Sequence, residues 1–517
     1  MNIVLIHPPV TRPCEPPAGI ARLAGALNDH NCSHLVLDAN IEGLLFLTAT
    51  TEKARDTWTR RAGKQLEKNL ASLRNGKAFK NKGRYNSAVA EINRILAVGS
   101  VENDTRVTLN NYSQTTLSPV KSADLLYSAE HPESNVFYPY FQRRFSALLE
   151  KHTPRIMGFS LNYLSQALTC FAMIGYLRRI YPEGQIILGG GLVTSWIKRP
   201  GRSNPFSGLI DEMVAGPGEQ RILALSGIEY SESSALPFYA PFWNNEYLSP
   251  GRVVPFSTSS GCYWGNCSFC PEKAEGNKYT CLSAGRAVSD MDRLMEKDSP
   301  ALIHICDNAI SPKLLTSLAA RESIAPWYGF ARITDHLSDP DFCRALKRSG
   351  CVMIKLGLES GDQDVLDALG KGIELDIARK ALKTLKNAGI ATYVYLLFGT
   401  PQEDQASAQK TLALMTEYHD CVNFLNLSIF NLPRESTEAE ALSTYDFSEG
   451  DLSLYQGFVH PKAWDRNNVR QFLDKEFKRH PAIARIVRND PPVFTSNHAP
   501  FFVMNNTISN RTMKGKT

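Results

Sequence analysis

Gly261-Cys262-Tyr263-Trp264-Gly265-Asn266-Cys267-Ser268-Phe269-Cys270 places three cysteines within nine residues, near the middle of a 517-residue chain. An apolar and hydroxyl-rich run, Val253 to Ser259, precedes it and reads as a strand entering a loop. Three clustered thiolates suit a soft metal centre. They fill three corners of a 4Fe-4S cluster and leave the fourth iron open to a small molecule. A closed zinc knuckle would need a fourth ligand, for which Cys281 is the candidate. Disulfides fit less well, because the eleven cysteines are scattered and no secretory apolar segment opens the chain. The expected setting is a reducing cytoplasm.

At 43% hydrophobic and 21% charged residues the composition is that of a globular protein, long enough for about three domains. No apolar run approaches the ~18 residues that span a bilayer. The charge is uneven. Lys53 to Arg94 holds twelve Lys and Arg against Asp56, Glu67 and Glu91, a local +9 within a net +5, so the remainder is about −4. Such a segment offers itself to an anionic partner, nucleic acid included, or forms a solvated helical face. No aromatic platform or nucleic-acid motif accompanies it, which favours the solvated face.

Working outward, Asn2 to Pro9 is an apolar run stopped by prolines and reads as a buried parallel strand. Gly19 to Leu27 reads as a helix and His34 to Leu37 as a second strand. After a long interruption come Ile156 to Ser160, a helix from Ser165 to Ile180, then strands Gln185 to Leu188 and Glu212 to Ala215. Strands alternating with helices imply an α/β, doubly wound parallel sheet, whose ligand lies beyond the carboxyl ends of the strands. Those ends carry Pro8, Asp38, Ser160, Gly189-Gly190-Gly191, Gly216 and Glu219. A nicotinamide cofactor is disfavoured, since no G-x-G-x-x-G follows the first strand. The interruption, about residues 50–151, is too long for a structureless loop and is expected to be a largely helical basic appendage.

The cysteine stretch resembles the signature of the radical S-adenosylmethionine (SAM) superfamily, C-x3-C-x2-C with an aromatic residue before the last cysteine. Phe269 fills that position, while four residues rather than three separate Cys262 and Cys267. The N-terminal region in turn resembles the Rossmann-like cobalamin-binding domain found ahead of many radical SAM cores. That family's D-x-H-x-x-G pattern, later serine and Gly-Gly pair correspond to Asp38-Ala39-Asn40-Ile41-Glu42-Gly43, Ser160 and Gly189-Gly190. Asn40 stands where the histidine would be, so the resemblance implies cobalt without an imidazole from this position.

The resemblance further implies domains at 1–230 (cobalamin), 231–250 (linker), 251–430 (a partial (β/α)6 barrel) and 431–517 (a C-terminal cap over the barrel mouth). Strands are expected at Val253 to Ser257, Ala301 to Ile305, Trp327 to Ile333, Met353 to Leu356, Ala391 to Phe398 and Phe424 to Ile429. Cys262, Cys267 and Cys270 would ligate the cluster. Phe269, Arg332, Glu359, Ser360 and Gly361 would contact SAM, with Arg332 on its carboxylate. Glu359 and Ser360 also read as the first turn and cap of a helix. Asp307-Asn308 replaces the family's Gly-Gly-Glu for the SAM amine, and His498 is a candidate to reach substrate. The implied activity is reductive cleavage of SAM to a 5′-deoxyadenosyl radical, then methyl transfer to an unactivated carbon, with flavodoxin or ferredoxin as electron donor. Rearrangement or cyclisation without methyl transfer is the alternative within the class. A zinc-stabilised nucleic-acid-binding protein is the alternative outside it.

Overall fold

Ile3–His7 (β1) buries all five side chains, so both of its faces need a covering layer, the situation of an inner parallel strand. In the computed structural model it pairs in parallel with His34–Asp38 (β2) on one side and Ile156–Ser160 (β3) on the other. Gln185–Gly189 (β4) and Glu212–Met213 (β5) extend the sheet in the order β2-β1-β3-β4-β5. A doubly wound sheet of this order opens its ligand crevice between β1 and β3, at the carboxyl ends. Helix Leu164–Ile180 covers the sheet with an almost continuously buried stretch, Gln166 to Leu177.

The structure describes residues 2–50, 56–100, 104–199, 204–229, 235–322, 325–446, 450–491 and 498–503. They fall into two units, one built on residues 1–252 with 448–454 and 492–494, the other on 253–447 with 455–491 and 495–517. No helix among the described residues is long and apolar enough to cross a membrane.

Within the first unit the interruption folds as helices Thr57–Arg74, Lys82–Ser100, Ser122–Glu130 and Tyr138–Leu149. Asp56 caps the first of these by accepting from Thr59 N. Lys53 and Arg55 lie outside the described residues. Between the second and third of these helices Thr105–Thr108 pairs antiparallel with Asn111–Gln114. Asn93 Oδ1 accepts from Leu109 N at 2.8 Å, a bond across sixteen residues that ties the hairpin to the preceding helix.

The second unit is a six-stranded parallel sheet in chain order. Its strands are Val253–Phe256 (β6), Leu302–Ile305 (β7), Trp327–Ala331 (β8), Cys351–Glu359 (β9), Ala391–Phe398 (β10) and Phe424–Ile429 (β11). Helices Ala284–Asp298, Pro312–Ala319, Pro340–Arg348 and Gln405–Glu417 alternate with the strands, each started by a capping side chain, Ser283, Ser311, Asp339 and Asp404. Sequential β/α units of this kind form the open, partial barrel that the sequence implies.

One expectation is corrected at the barrel's end. Val253, Leu302, Ala391 and Phe424 begin their strands, and they form one buried cluster with Ala499. His498 lies 4.4 Å from the Tyr393 ring and 4.5 Å from Phe424, centroid to centroid. This part of the tail seals the amino end of the barrel, because the apolar first residues of the strands need cover. Asn497 lies outside the described residues. Other tail residues dock at the carboxyl ends: His460 and Trp464 bond Thr400 O and the Glu403 carboxylate after β10, Arg466 donates to Phe430 O and Asn431 Oδ1 after β11, and Phe472 and Phe477 pack on Phe398.

Gly190 adopts φ +112°, and a Cβ there would meet Leu161 O at 2.3 Å. Gly190→Ala is therefore expected to cost the first unit about 1–3 kcal/mol. An unchanged urea midpoint would show that the β3 and β4 ends are not packed this tightly.

Candidate functional site

The cysteine loop leaves β6 and is caught at once by the end of β7. Asp307 Oδ1 accepts from Thr258 N at 2.7 Å and Ser259 N at 3.1 Å, while Thr258 Oγ1 donates to Oδ2. Asn308 Nδ2 donates to Gly261 O at 3.3 Å. The pair that stands where the resembled family carries its amine-contacting motif is thus committed to the loop's entry. Burial raises the Asp307 pKa, although these donors oppose the rise.

The loop's interior rests on a second one, Leu369-Gly370-Lys371-Gly372. Ser268 N donates to Leu369 O and Trp264 Nε1 to Gly370 O, both at 2.9 Å. Gly370 and Gly372 have φ of +62° and +61°, and a Cβ on them would lie 2.8 Å from Asn266 O and 2.3 Å from the Trp264 ring. Glycine is required at both by conformation and by space. Arg332 lies 4.0 Å over the Trp264 ring, a buried cation–π contact of about 2 kcal/mol. Its Nη2 donates to Lys371 O, and its Nη1 lies 3.9 Å from Cys267 Sγ. Lys371, 5% exposed, donates to Glu359 Oε1 at 2.8 Å and sits 5.5 Å over the Phe269 ring. Removing either partner of such a buried pair leaves an unpaired charge, at a cost of about 3–5 kcal/mol.

These residues fit an iron–sulfur cluster. Cys262, Cys267 and Cys270 are free thiols, and burial raises the pKa of the latter two. At Cys267 the charges of Lys371 and Arg332 oppose that rise. A cluster held by three thiolates and two buried cations is a matched charge set. Cys281, the candidate fourth zinc ligand, is exposed on a short ribbon pairing with Ser259. Among the described residues no three His, Cys, Asp or Glu side chains gather closely enough for a single ion.

Of the residues expected at SAM, the fold gathers Phe269, Arg332 and Glu359 around Lys371. Glu359 ends β9 at φ +68° after an irregularity in the register with β10. Ser360 and Gly361 turn away instead: Gly361 N donates to Thr411 Oγ1 at 2.8 Å, and Ser360 Oγ lies 3.4 Å from the same atom. Both are drawn into the packing against helix Gln405–Glu417. The following helix, Gln363–Ala368, is capped by Asp362, so Ser360 is not its cap. Lys371 and Trp264 were missed by the sequence reading; the glycines flanking Lys371 were the available signal.

In the first unit Pro8, Asp38, Ser160 and Gly189 lie at the carboxyl edge. Asn162 joins two of its ends, donating to Ser160 Oγ at 3.0 Å and accepting from Gly191 N at 2.9 Å. Gly216 N donates to Thr194 Oγ1, and a Cβ on Gly216 would meet nothing within 4 Å. Tyr163 and Leu164 are 50% and 40% exposed beside this edge, and Glu219 is held by Arg22 at 2.5 Å. An open glycine edge bordered by exposed apolar groups fits a large, flat ligand. Asn40 Oδ1 accepts from Thr11 N at 2.8 Å, which ties this residue to the segment that follows β1. Asp38 Oδ1 accepts from Asn40 N and Ile41 N, and Oδ2 accepts from Tyr247 Oη at 2.6 Å.

Burial pushes the Asp38 pKa from 3.8 up to about 7. Between those values the folded chain keeps a proton that the unfolded chain has released, so this group's contribution to stability falls as pH rises from about 4 to 7 and is level above. Asp38→Asn is expected to flatten that slope in urea unfolding of the first unit. An identical pH profile in the variant would place the Asp38 carboxylate in solvent.

Residues 256–415 match the family model described as the Radical SAM superfamily. Among curated relatives, the anaerobic magnesium-protoporphyrin IX monomethyl ester cyclase of Rubrivivax gelatinosus is 21% identical over 357 residues, 59% of this chain and 63% of its own. An uncharacterised methyltransferase of Pyrococcus horikoshii is 22% identical over 305 residues, 51% of this chain and 64% of its own. The chain thus spans less than two thirds of these relatives. Among solved structures, the radical SAM methyltransferase TsrM of Kitasatospora setae, with tryptophan and a SAM analogue bound, superposes at TM-score 0.57 and 14% identity, covering 100% of this chain and 99% of that one. The cobalamin-dependent SAM radical enzyme OxsB superposes at 0.53 and 13%, covering 99% and 61%. The cysteine loop thus lies within the stretch that matches the Radical SAM superfamily, and the chain has the fold of these two solved structures.

Proposed function

We propose that the chain is a cobalamin-dependent radical SAM enzyme that methylates an unactivated carbon. The observation that carries the reading is the pairing, in one chain, of a thiol loop braced by buried cations with a doubly wound unit whose carboxyl edge is open and glycine-lined. When bound, the cluster and SAM supply a one-electron reduction that yields a 5′-deoxyadenosyl radical, and cobalamin supplies the methyl group. Cys262, Cys267 and Cys270 hold the cluster. Phe269 and Glu359 border the SAM position, and the ends at Pro8, Ser160, Gly189 to Gly191 and Gly216 line the corrin. Asn40, which has no imidazole and whose Oδ1 accepts from Thr11 N, gives cobalt no ring nitrogen. A low-potential donor such as flavodoxin or ferredoxin, in a reducing cytoplasm, completes the system.

The likeness to a named cyclase favours a second reading, cyclisation without methyl transfer. Both readings predict about four iron and four sulfide per reconstituted chain, bound cobalamin, and 5′-deoxyadenosine with dithionite. Methyl-deuterated SAM separates them: methyl transfer places label in the recovered cobalamin fraction, cyclisation does not. Replacing the three cysteines by alanine should abolish iron and 5′-deoxyadenosine together. A triple variant that keeps its cluster, or loss of iron in Cys281→Ala, would count against the ligand set. Nitrogen superhyperfine splitting from a protein ligand in the cob(II)alamin spectrum would count against the role given to Asn40.

A further inference from the structure

We propose that Arg332 and Lys371 set the reduction potential of the cluster, and that Arg332 does not bind the SAM carboxylate. The inference rests on the radical SAM reading and concerns the side chains around Cys267. Every polar atom of Arg332 with a described bond points into the cysteine loop or its support: Nη1 toward Cys267 Sγ, Nη2 toward Lys371 O and Gly372 O. Trp264 stacks on the guanidinium face, and Arg332 is 6% exposed. Lys371 is held equally firmly, between Glu359 and the Phe269 ring.

Reduction adds one negative charge to a site that already carries three thiolates. A fixed cation a few ångströms away, in surroundings with little water, stabilises the reduced form more than the oxidised one. Trp264, Gly370 and Gly372 keep the two cations there, so the charge is in place before the electron arrives. Both residues act through the cluster and are positioning residues.

The test is an anaerobic potentiometric titration of the reconstituted full chain without SAM, followed by electron paramagnetic resonance of the reduced cluster. Arg332→Gln and Lys371→Met should retain about four iron. At the parent's midpoint each should show a ratio of reduced to oxidised cluster lower by about tenfold, a shift of about 59 mV for a one-electron couple. Arg332→Lys should recover most of it. Unchanged potentials with full clusters overturn the proposal, and weakened SAM binding alongside them returns Arg332 to the SAM carboxylate. Loss of the cluster from both variants also overturns it, in favour of a purely mechanical clamp; if only one loses its cluster, the potential of the other decides. A parent chain that binds no cluster refutes the radical SAM reading itself, a result distinct from a parent whose potential the variants do not move.

Discussion

Two buried cations held against a loop of thiols are the constraint on which the second unit turns. Neither Arg332 nor Lys371 could remain buried without partners, since an unpaired interior charge costs more than most single contacts return. Their partners come from separate places in the chain: Trp264 and Cys267 from the cysteine loop, Glu359 from the end of β9, and the backbone carbonyls of Lys371 and Gly372. Satisfying them fixes the loop against the barrel rim. Asp307 and Asn308 hold the loop's entry in the same way, so both ends of the thiol segment are anchored from neighbouring strands.

This arrangement follows from the parallel sheet. With all strands pointing one way, their carboxyl ends, and the loops that follow, collect on one rim. The amino ends collect apolar side chains instead, and the tail at His498 and Ala499 closes them. One sheet therefore has a polar working edge and a sealed opposite edge. The first unit repeats the logic with fewer strands. At its edge the polar groups satisfy one another locally, as in Asp38 with Tyr247 and Asn162 with Ser160 and Gly191, and Gly216 stays open.

Much of this was legible in the residues. Apolar runs marked Ile156–Ser160 and Ala391–Phe398 with the bounds observed, because strands buried on both faces announce themselves by composition alone; Phe424–Ile429, a half-buried edge strand, was marked by its apolar start. The cysteine spacing announced its chemistry because three soft ligands so close have few other uses. What local pattern misread were groups whose partners lie far away in sequence. Ser360 looked like a helix cap but is pulled to Thr411, fifty-one residues on. Within the largely helical interruption, local pattern gave no sign of the hairpin that Asn93 holds.

By itself the sequence determined the two α/β units, their order, and a thiol loop at a strand end, since periodicity and short-range spacing encode all three. Only the tertiary structure decided what Arg332 touches, that Lys371 belongs beside Cys267, and that the tail at His498 lies at the amino end of the barrel. Those outcomes depend on which partners Arg332 finds across thirty-nine to sixty-eight residues and on which strand ends need apolar cover. Both are properties of the packed interior, where the cost of leaving a charge or a donor unpaired selects the arrangement.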